Sequence, residues 1–158
     1  VTESPFKRKL LLWFWNFWPP FLGAGIRIER ASIDLMEIDV SMKLHWWNRN
    51  YVSTHYGGSL YSMTDPFYMV MLYEHMGKDH IVWDKAANIR FKKPGRGKVR
   101  CEFRLTKELL AGYRKALETE EKIEPLIVAT ILDEENEIVA EVEKLLYIRR
   151  KDSIPKKV

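Results

Sequence analysis

Asn50-Tyr51-Val52-Ser53-Thr54-His55-Tyr56-Gly57-Gly58-Ser59-Leu60-Tyr61-Ser62-Met63-Thr64-Asp65 joins a polar loop to the start of an apolar helix. Asn48, Asn50 and Ser53 crowd the segment from His45 to His55, which therefore reads as loop. Gly57 and Gly58 permit close backbone approach where a helix begins. There, free N–H groups and the macrodipole favour an oxyanion. The helix is predicted to run from Gly58 to Met76 and is the most apolar in the chain, carrying Leu60, Met63, Phe67, Met69, Val70, Met71 and Leu72. It is expected at the centre of the fold. Asp65 interrupts its apolar surface. A carboxylate on a buried face must be paired, hydrated or functional, because an isolated charge in apolar surroundings is costly.

Outward from this helix the chain reads mainly as strands. Ile38, Val40, Met42 and Leu44 alternate with Glu37, Asp39, Ser41 and Lys43, the period of a half-buried strand, and Ile26 to Leu35 supplies its hairpin partner. Beyond a C-cap at Gly77, an extended pattern from Ile81 to Lys93 ends at the turn Pro94-Gly95-Arg96-Gly97. The turn is expected to make a hairpin with the alternating stretch Lys98 to Leu105. Thr106 is placed to cap a helix from Lys107 to about Thr119. Ile123 to Leu132 and Glu137 to Arg149 form a last strand pair about Asp133-Glu134-Glu135-Asn136. Strands around one buried helix give an α+β fold with a largely antiparallel sheet.

The chain has 158 residues, which suits one domain over 1–158. Its net charge of +4 does not by itself point to nucleic acid, and its aromatics lie in apolar segments rather than between Lys and Arg on a strand face. No nucleic-acid partner is expected. Basic residues cluster at Lys7, Arg8 and Lys9, from Lys92 to Arg100, and in a tail over about 150–158. The single Cys101 excludes an intramolecular disulfide and fits a reducing, cytoplasmic setting. His45, His55, His75 and His80 share no metal-ligand spacing, so no metal is expected. Nucleotide-binding loops, the GxSxG elbow and HExxH are absent from the sequence.

Pro5 to Trp18 reads as an N-terminal helix, about 5–18, capped by Ser4, ended by Pro19-Pro20, and carrying Trp13, Phe14, Trp15, Phe17 and Trp18. Its apolar run is far short of the ~20 residues of a membrane span. Packing across the fold or at a subunit interface is the favoured reading, ahead of contact with a membrane surface.

Residues seven apart on a helix share a face within about 20° but lie about 10 Å apart along the axis. Gly58 and Asp65 of one chain therefore cannot both reach one carbonyl. Two antiparallel copies of the helix about a two-fold axis bring Asp65 of one chain to the glycine turn of the other, a composite site that calls for a homodimer or a tetramer. The same residues also suit a plain tight turn, with Asp65 an ordinary polar residue before a Pro66 kink.

This order of elements resembles the hotdog fold, in which a curved antiparallel sheet wraps a long central helix. The loop resembles that of the phenylacetic-acid-degradation type of acyl-CoA thioesterases, Asn-x-x-Gly-x-x-His-Gly-Gly with an acidic residue seven positions after the second Gly. Asn50, Gly57, Gly58 and Asp65 fall in register, while Ser53 stands at the Gly, Tyr56 at the His, and His55 one position early. Gly23 to Ile28, Thr54 to Phe67, Ile81 to Ala87 and Arg90 to Arg96 are more similar to an uncharacterised bacterial hotdog family, thioesterase-like and of unknown function.

The resemblance implies thioester hydrolysis. Gly58, beside Gly57, would hold the oxyanion through its amide. Asp65 of the partner subunit would activate water or attack directly, and Asn50 would orient water or carbonyl. His55 and Tyr56 would line the substrate pocket, and Lys92, Lys93 and Arg96 would meet the phosphates of coenzyme A, which enters as part of the substrate and not as a cofactor. The rival implication is a non-catalytic hotdog protein that binds an acyl-CoA, a fatty acid or a lipid. A hotdog dehydratase fits the acid and histidine pattern less well.

Overall fold

The structure is a computed structural model that describes residue 10 and residues 13–153. In chain order its elements are α1 (Pro19–Ala24), β1 (Ile26–Ala31), β2 (Glu37–Lys43), α2 (Gly57–Ser62), α3 (Phe67–Met76), β3 (His80–Phe91), β4 (Lys98–Arg104), α4 (Lys107–Thr119), β5 (Lys122–Ile123), β6 (Leu126–Leu132) and β7 (Ile138–Arg150). A 3-10 turn, Lys151–Ser153, follows β7. The strands form one seven-stranded sheet in the order β1-β2-β4-β6-β7-β3, with β5 paired to β7. Every pairing is antiparallel.

Alternation along the strands builds the inner face. Ile38, Val40 and Met42 of β2, Val99, Cys101 and Phe103 of β4, Ala129 and Ile131 of β6, and Val142, Leu146 and Ile148 of β7 are all buried. Phe67, Met71 and Leu72 of α3 lie against this face, fully buried, and the Phe67 and Phe103 rings sit 4.8 Å apart. Each such side chain contributes roughly 1.5–3 kcal/mol by leaving water. The sheet thus wraps α3, as the hotdog resemblance implied. Thr106 Oγ1 accepts the Leu109 amide at 3.1 Å and caps α4, which buries Leu110 and Leu117.

Three expectations change. The central helix is two helices, because Pro66 has no N–H to continue the ladder and disfavours helical backbone at Asp65 before it. The Thr64 and Asp65 amides turn back to Tyr61 and Ser62, and α3 restarts from the Pro66 carbonyl. Asp65 therefore sits in a break, not within a helix.

The turn at Pro94-Gly95-Arg96-Gly97 makes no hairpin. β3 pairs along its length with β7, while β4 is held on both sides by β2 and β6. The turn bonds instead to the preceding loop, where the Leu44 and His55 amides donate to the carbonyls of Gly97 and Gly95.

Pro19-Pro20, expected only to stop a helix, opens α1, where missing N–H groups cost nothing at the first turn. Of the expected N-terminal helix, residue 10 and residues 13–15 are helical, and the chain turns at 16–18. The rest of that helix, and the tail beyond 153, lie outside the described residues.

Candidate functional site

Asn50 organises the loop that carries the glycines. Its Oδ1 accepts the Val52 and Thr54 amides at 3.1 and 3.0 Å. Its Nδ2 donates to Thr54 Oγ1 at 2.8 Å and to the His55 carbonyl at 3.3 Å. The amide's two donors and its oxygen are all engaged inside the loop. Asn50 also lines the cleft described below. Ser53 takes a φ of 60°, in the left-handed region that favours glycine. The glycine that the thioesterase motif places here answers a backbone need, and Ser53 keeps the conformation without it.

His55 is buried, with Nε2 3.1 Å from the Gly97 carbonyl. A carbonyl only accepts, so Nε2 carries the proton and Nδ1 keeps a bare lone pair, which has no hydrogen-bond partner. Burial lowers the pKa of the ring, against the opposing pull of the Gly97 carbonyl, and keeps the ring neutral at pH 7. His55, Asn50, Gly57, Leu60, Phe91 and Lys92 are among the residues lining a cleft of about 450 Å³. Any Cβ on Gly57 would lie 2.9 Å from the Phe91 ring, which accounts for the glycine.

Gly58 and Tyr56 open on a different cleft, also about 450 Å³, shared with Pro20, Trp47 and Ser59. The Tyr56 ring lies over Gly58, 2.5 Å from where a Cβ would stand. The Gly57 and Gly58 amides head α2, where no intrahelical acceptor reaches them.

Lys92 and Lys93 border the His55 cleft, and both are paired: Lys92 with Glu141 at 2.7 Å, Lys93 with Asp133 at 2.5 Å and with Glu137. Arg96 is exposed, lines neither the His55 cleft nor the one beside Gly58, and has no ion pair among the described residues.

Asp65 belongs to a third group, which the sequence reading missed. Lys144 of β7 is fully buried, and its Nζ donates to the Asp65 carbonyl at 2.8 Å and to Asp65 Oδ1 at 3.1 Å. The break between α2 and α3 frees that carbonyl for the lysine. Tyr61 Oη donates to the same Oδ1 at 3.0 Å, and the Tyr61 ring lies 5.3 Å from Nζ. Asp84 Oδ1 completes the group 3.2 Å from Nζ, an ion pair without hydrogen-bond geometry. It stands at a bulge in β3, where the register with β7 shifts between Asp84 and Ala86.

Burial pushes the Asp84 carboxyl above its ordinary value, with the Lys144 charge opposing. Burial, then the Asp65 charge, pushes the Tyr61 hydroxyl up to about 12. Asp65 remains half exposed, and among the described residues its Oδ2 has no partner. One signal for the cluster was present in the sequence: Val142, Lys144, Leu146 and Ile148 share one strand face, so a lysine falls among core positions.

Within one chain, then, Asn50, His55 and Gly57 meet in one cleft with Lys92 and Lys93, Gly58 and Tyr56 in another, and Asp65 stands apart. Asp65 lines neither of these two clefts and is tied to the glycine turn through Ser62, whose carbonyl accepts the Asp65 amide and whose Oγ donates to the Gly58 carbonyl. Among the described residues no group of three or more His, Cys, Asp or Glu is placed to hold a metal ion.

The sequence matches the family DUF4442, a domain of unknown function, over residues 7–148. No curated protein matches it. Among solved structures it is similar to a Pseudomonas aeruginosa protein of unknown function described as a probable thioesterase. That likeness has a TM-score of 0.77 and 22% identity over 90% of this chain and 95% of the other. A Haemophilus influenzae thioesterase gives a TM-score of 0.63 and 15% identity, covering 88% of each chain. The Escherichia coli PaaI protein of the phenylacetic acid degradation operon gives 0.61 and 15%, covering 95% of each. These likenesses establish the fold that the strand order and the wrapped helix already describe.

Proposed function

The chain belongs to the DUF4442 family and has a hotdog fold, and from that premise we propose that it hydrolyses acyl-CoA thioesters at a site shared by two protomers. The observation that carries this reading is Asp65, half exposed, whose Oδ1 is fixed by Lys144 and Tyr61 while Oδ2 has no partner among the described residues. A carboxylate held in one orientation with one oxygen open suits a general base. Water attacks the thioester carbonyl as Oδ2 takes its proton. The resulting oxyanion rests on the Gly58 amide, and collapse breaks the C–S bond. The proton then passes to the leaving sulfur, giving the carboxylic acid and the thiol of coenzyme A.

Since Gly58 and Asp65 do not meet within one chain, Asp65 of the partner subunit serves the glycine turn. β3 supports the dimer. It is a sheet edge of twelve residues, exposed without interruption over 85–88, with Trp83 and Phe91 also exposed. An open edge of this length is a template for pairing with a second copy. Of Lys92, Lys93 and Arg96, Arg96 is the one without an ion pair among the described residues and so free to meet the phosphates of coenzyme A, whereas Lys92 and Lys93 would first have to leave their carboxylates.

A second reading, a non-catalytic protein that binds an acyl-CoA, a fatty acid or a lipid, is favoured by the Tyr56 ring over Gly58. Thiol release from short, medium, long and aromatic acyl-CoAs, run beside Asp65→Asn, separates the two. Hydrolysis requires kcat to fall at least about 100-fold in the variant. Equal rates would overturn the base assignment. Retention of acyl-CoA without turnover would favour the binding protein.

A further inference from the structure

The segment ahead of β1 is firmly seated yet turns most of its aromatics outward. Asn16 Oδ1 accepts the Ile28 amide at 2.7 Å, and its Nδ2 donates to the Ile28 carbonyl at 3.4 Å, fixing the segment to the edge strand. Phe21 is buried against Phe67 with ring centroids 6.0 Å apart, and Trp15 packs on the core. With those anchors in place, Trp13, Phe14, Phe17, Trp18 and Leu22 are each about half exposed, between 49% and 55%. Trp46 and Trp47, from the loop after β2, are 78% and 50% exposed. The expectation that the N-terminal aromatics pack across the fold holds for Trp15 and in part for Trp18, whose ring lies 5.4 Å from that of Phe21.

This apolar surface continues into a cleft of about 570 Å³ whose lining includes Leu22, Trp47, Arg27, Lys43, Glu29 and Lys98. Glu29 is taken by Lys98 at 2.8 Å and by Ser41 Oγ. Arg27 and Lys43 are exposed and make no ion pair among the described residues, although the Arg27 charge also acts on Glu29. Net positive charge, Arg27, Lys43 and Lys98 against the one carboxylate of Glu29, therefore stands beside a rim of tryptophan, phenylalanine and leucine.

We infer that this face docks on an anionic lipid surface. Trp13, Phe14, Phe17, Trp18, Leu22 and Trp46 enter the boundary between headgroups and acyl chains, and Arg27 and Lys43 meet the phosphates. Aromatic side chains concentrate at that boundary, and basic residues beside an apolar face add attraction to anionic lipid. The charges also separate this occupant from a second copy of the chain. A two-fold interface sets a patch against itself and would gather Arg27, Lys43 and Lys98 of both copies in one contact, a concentration of like charge. Among the described residues no helix is long and apolar enough to cross a membrane.

The full chain is tested by co-sedimentation with phosphatidylcholine vesicles, with and without phosphatidylglycerol, and by tryptophan fluorescence. Binding is expected on the phosphatidylglycerol vesicles with a blue shift, weakened by salt. Each charge removed from Arg27 or Lys43 should weaken it about five-fold. Phe17→Ser with Trp18→Ser should abolish binding and leave the circular dichroism unchanged, because both side chains are exposed. Absence of binding to either vesicle, or binding that ignores these substitutions, would overturn the inference. So would sedimentation showing that the Phe17/Trp18 variant loses a dimer while the parent ignores vesicles, which would assign the face to a second copy. None of these readouts uses turnover, so they stand whether or not the chain hydrolyses thioesters.

Discussion

Two lysines beside the candidate site each hold two carboxylates, and of these acids Asp133 and Asp84 are shifted in opposite directions. Lys93, at the rim, pairs with Asp133 and Glu137, and its hydrogen bond keeps the Asp133 carboxyl below its ordinary value. Lys144, on the inner face, pairs with Asp65 and Asp84, yet burial outweighs its charge and leaves the Asp84 carboxyl raised. Like ligand sets thus have different consequences once water is removed. At the rim a partly exposed lysine is one partner among several for Asp133, whereas inside, among the described residues, Lys144 is the only cation paired with either acid.

The largest effect follows from removing the inner cation. Lys144→Met keeps the volume and leaves Asp84 without its counter-charge. Stripping one partner from a buried pair is costly, and with Asp65 half exposed the expected loss is about 3 kcal/mol. Urea unfolding reads it directly. Adding Asp84→Asn should restore most of the loss, because the stranded charge goes with it. Failure of the double variant to recover would mean that Lys144 stabilises chiefly through the Asp65 carbonyl in the helix break.

The opposed titrations give the next test. Between 3.8 and its raised value, folded Asp84 holds more proton than the unfolded chain, so stability falls as pH rises through that window. Asp133 acts in the other sense: its contribution is complete above 3.8 and is lost as pH falls through its depressed value. Urea midpoints taken from about pH 3 to about pH 7 should show Asp84→Asn removing the falling limb and gaining stability at neutral pH. An unchanged curve would show that Lys144 fully offsets the burial of Asp84.

A smaller effect is expected from Tyr61→Phe, which removes one of the two donors on Asp65 Oδ1. The stability change should stay near about 1 kcal/mol, the net worth of an ordinary hydrogen bond. If Asp65 is the base, kcat falls while KM holds, since the ring remains and only the orientation of the carboxylate loosens. A change in KM alone would place Tyr61 on the substrate.

The same contrast explains what could be read along the chain. The Asn50 loop closes on itself within a few residues, so its composition announced a turn and the glycines announced the start of α2. The strands of the last hairpin and the Thr106 cap were legible for the same reason, being local patterns. The Asp65 cluster was not, because Lys144 lies 79 residues away and reaches Asp65 only after β7 takes its place in the sheet. The hairpin expected at Pro94 failed likewise: a local turn signal is overridden when both strands find better partners elsewhere. Pro66 was the exception, a local cue noted as a kink that proved strong enough to divide the helix.

The smallest effect is expected at the rim, and it decides whether the two lysines differ in role as well as setting. Lys93→Met removes the rim cation and leaves the Oδ2 of buried Asp133 without its ion pair, but Oδ1 keeps the Glu135 and Glu137 amides at 3.1 and 2.9 Å. The urea midpoint should move much less than in Lys144→Met. If Lys93 swings from its carboxylates to meet phosphate, the variant raises KM for acyl-CoA at unchanged kcat, the mark of lost uniform binding. If KM also stays fixed, Lys93 only ties β3 to the Asp133 turn, and recognition of phosphate falls to Arg96. A fall in stability as large as that of Lys144→Met would instead erase the distinction, because it would show the rim pair behaving as a buried one.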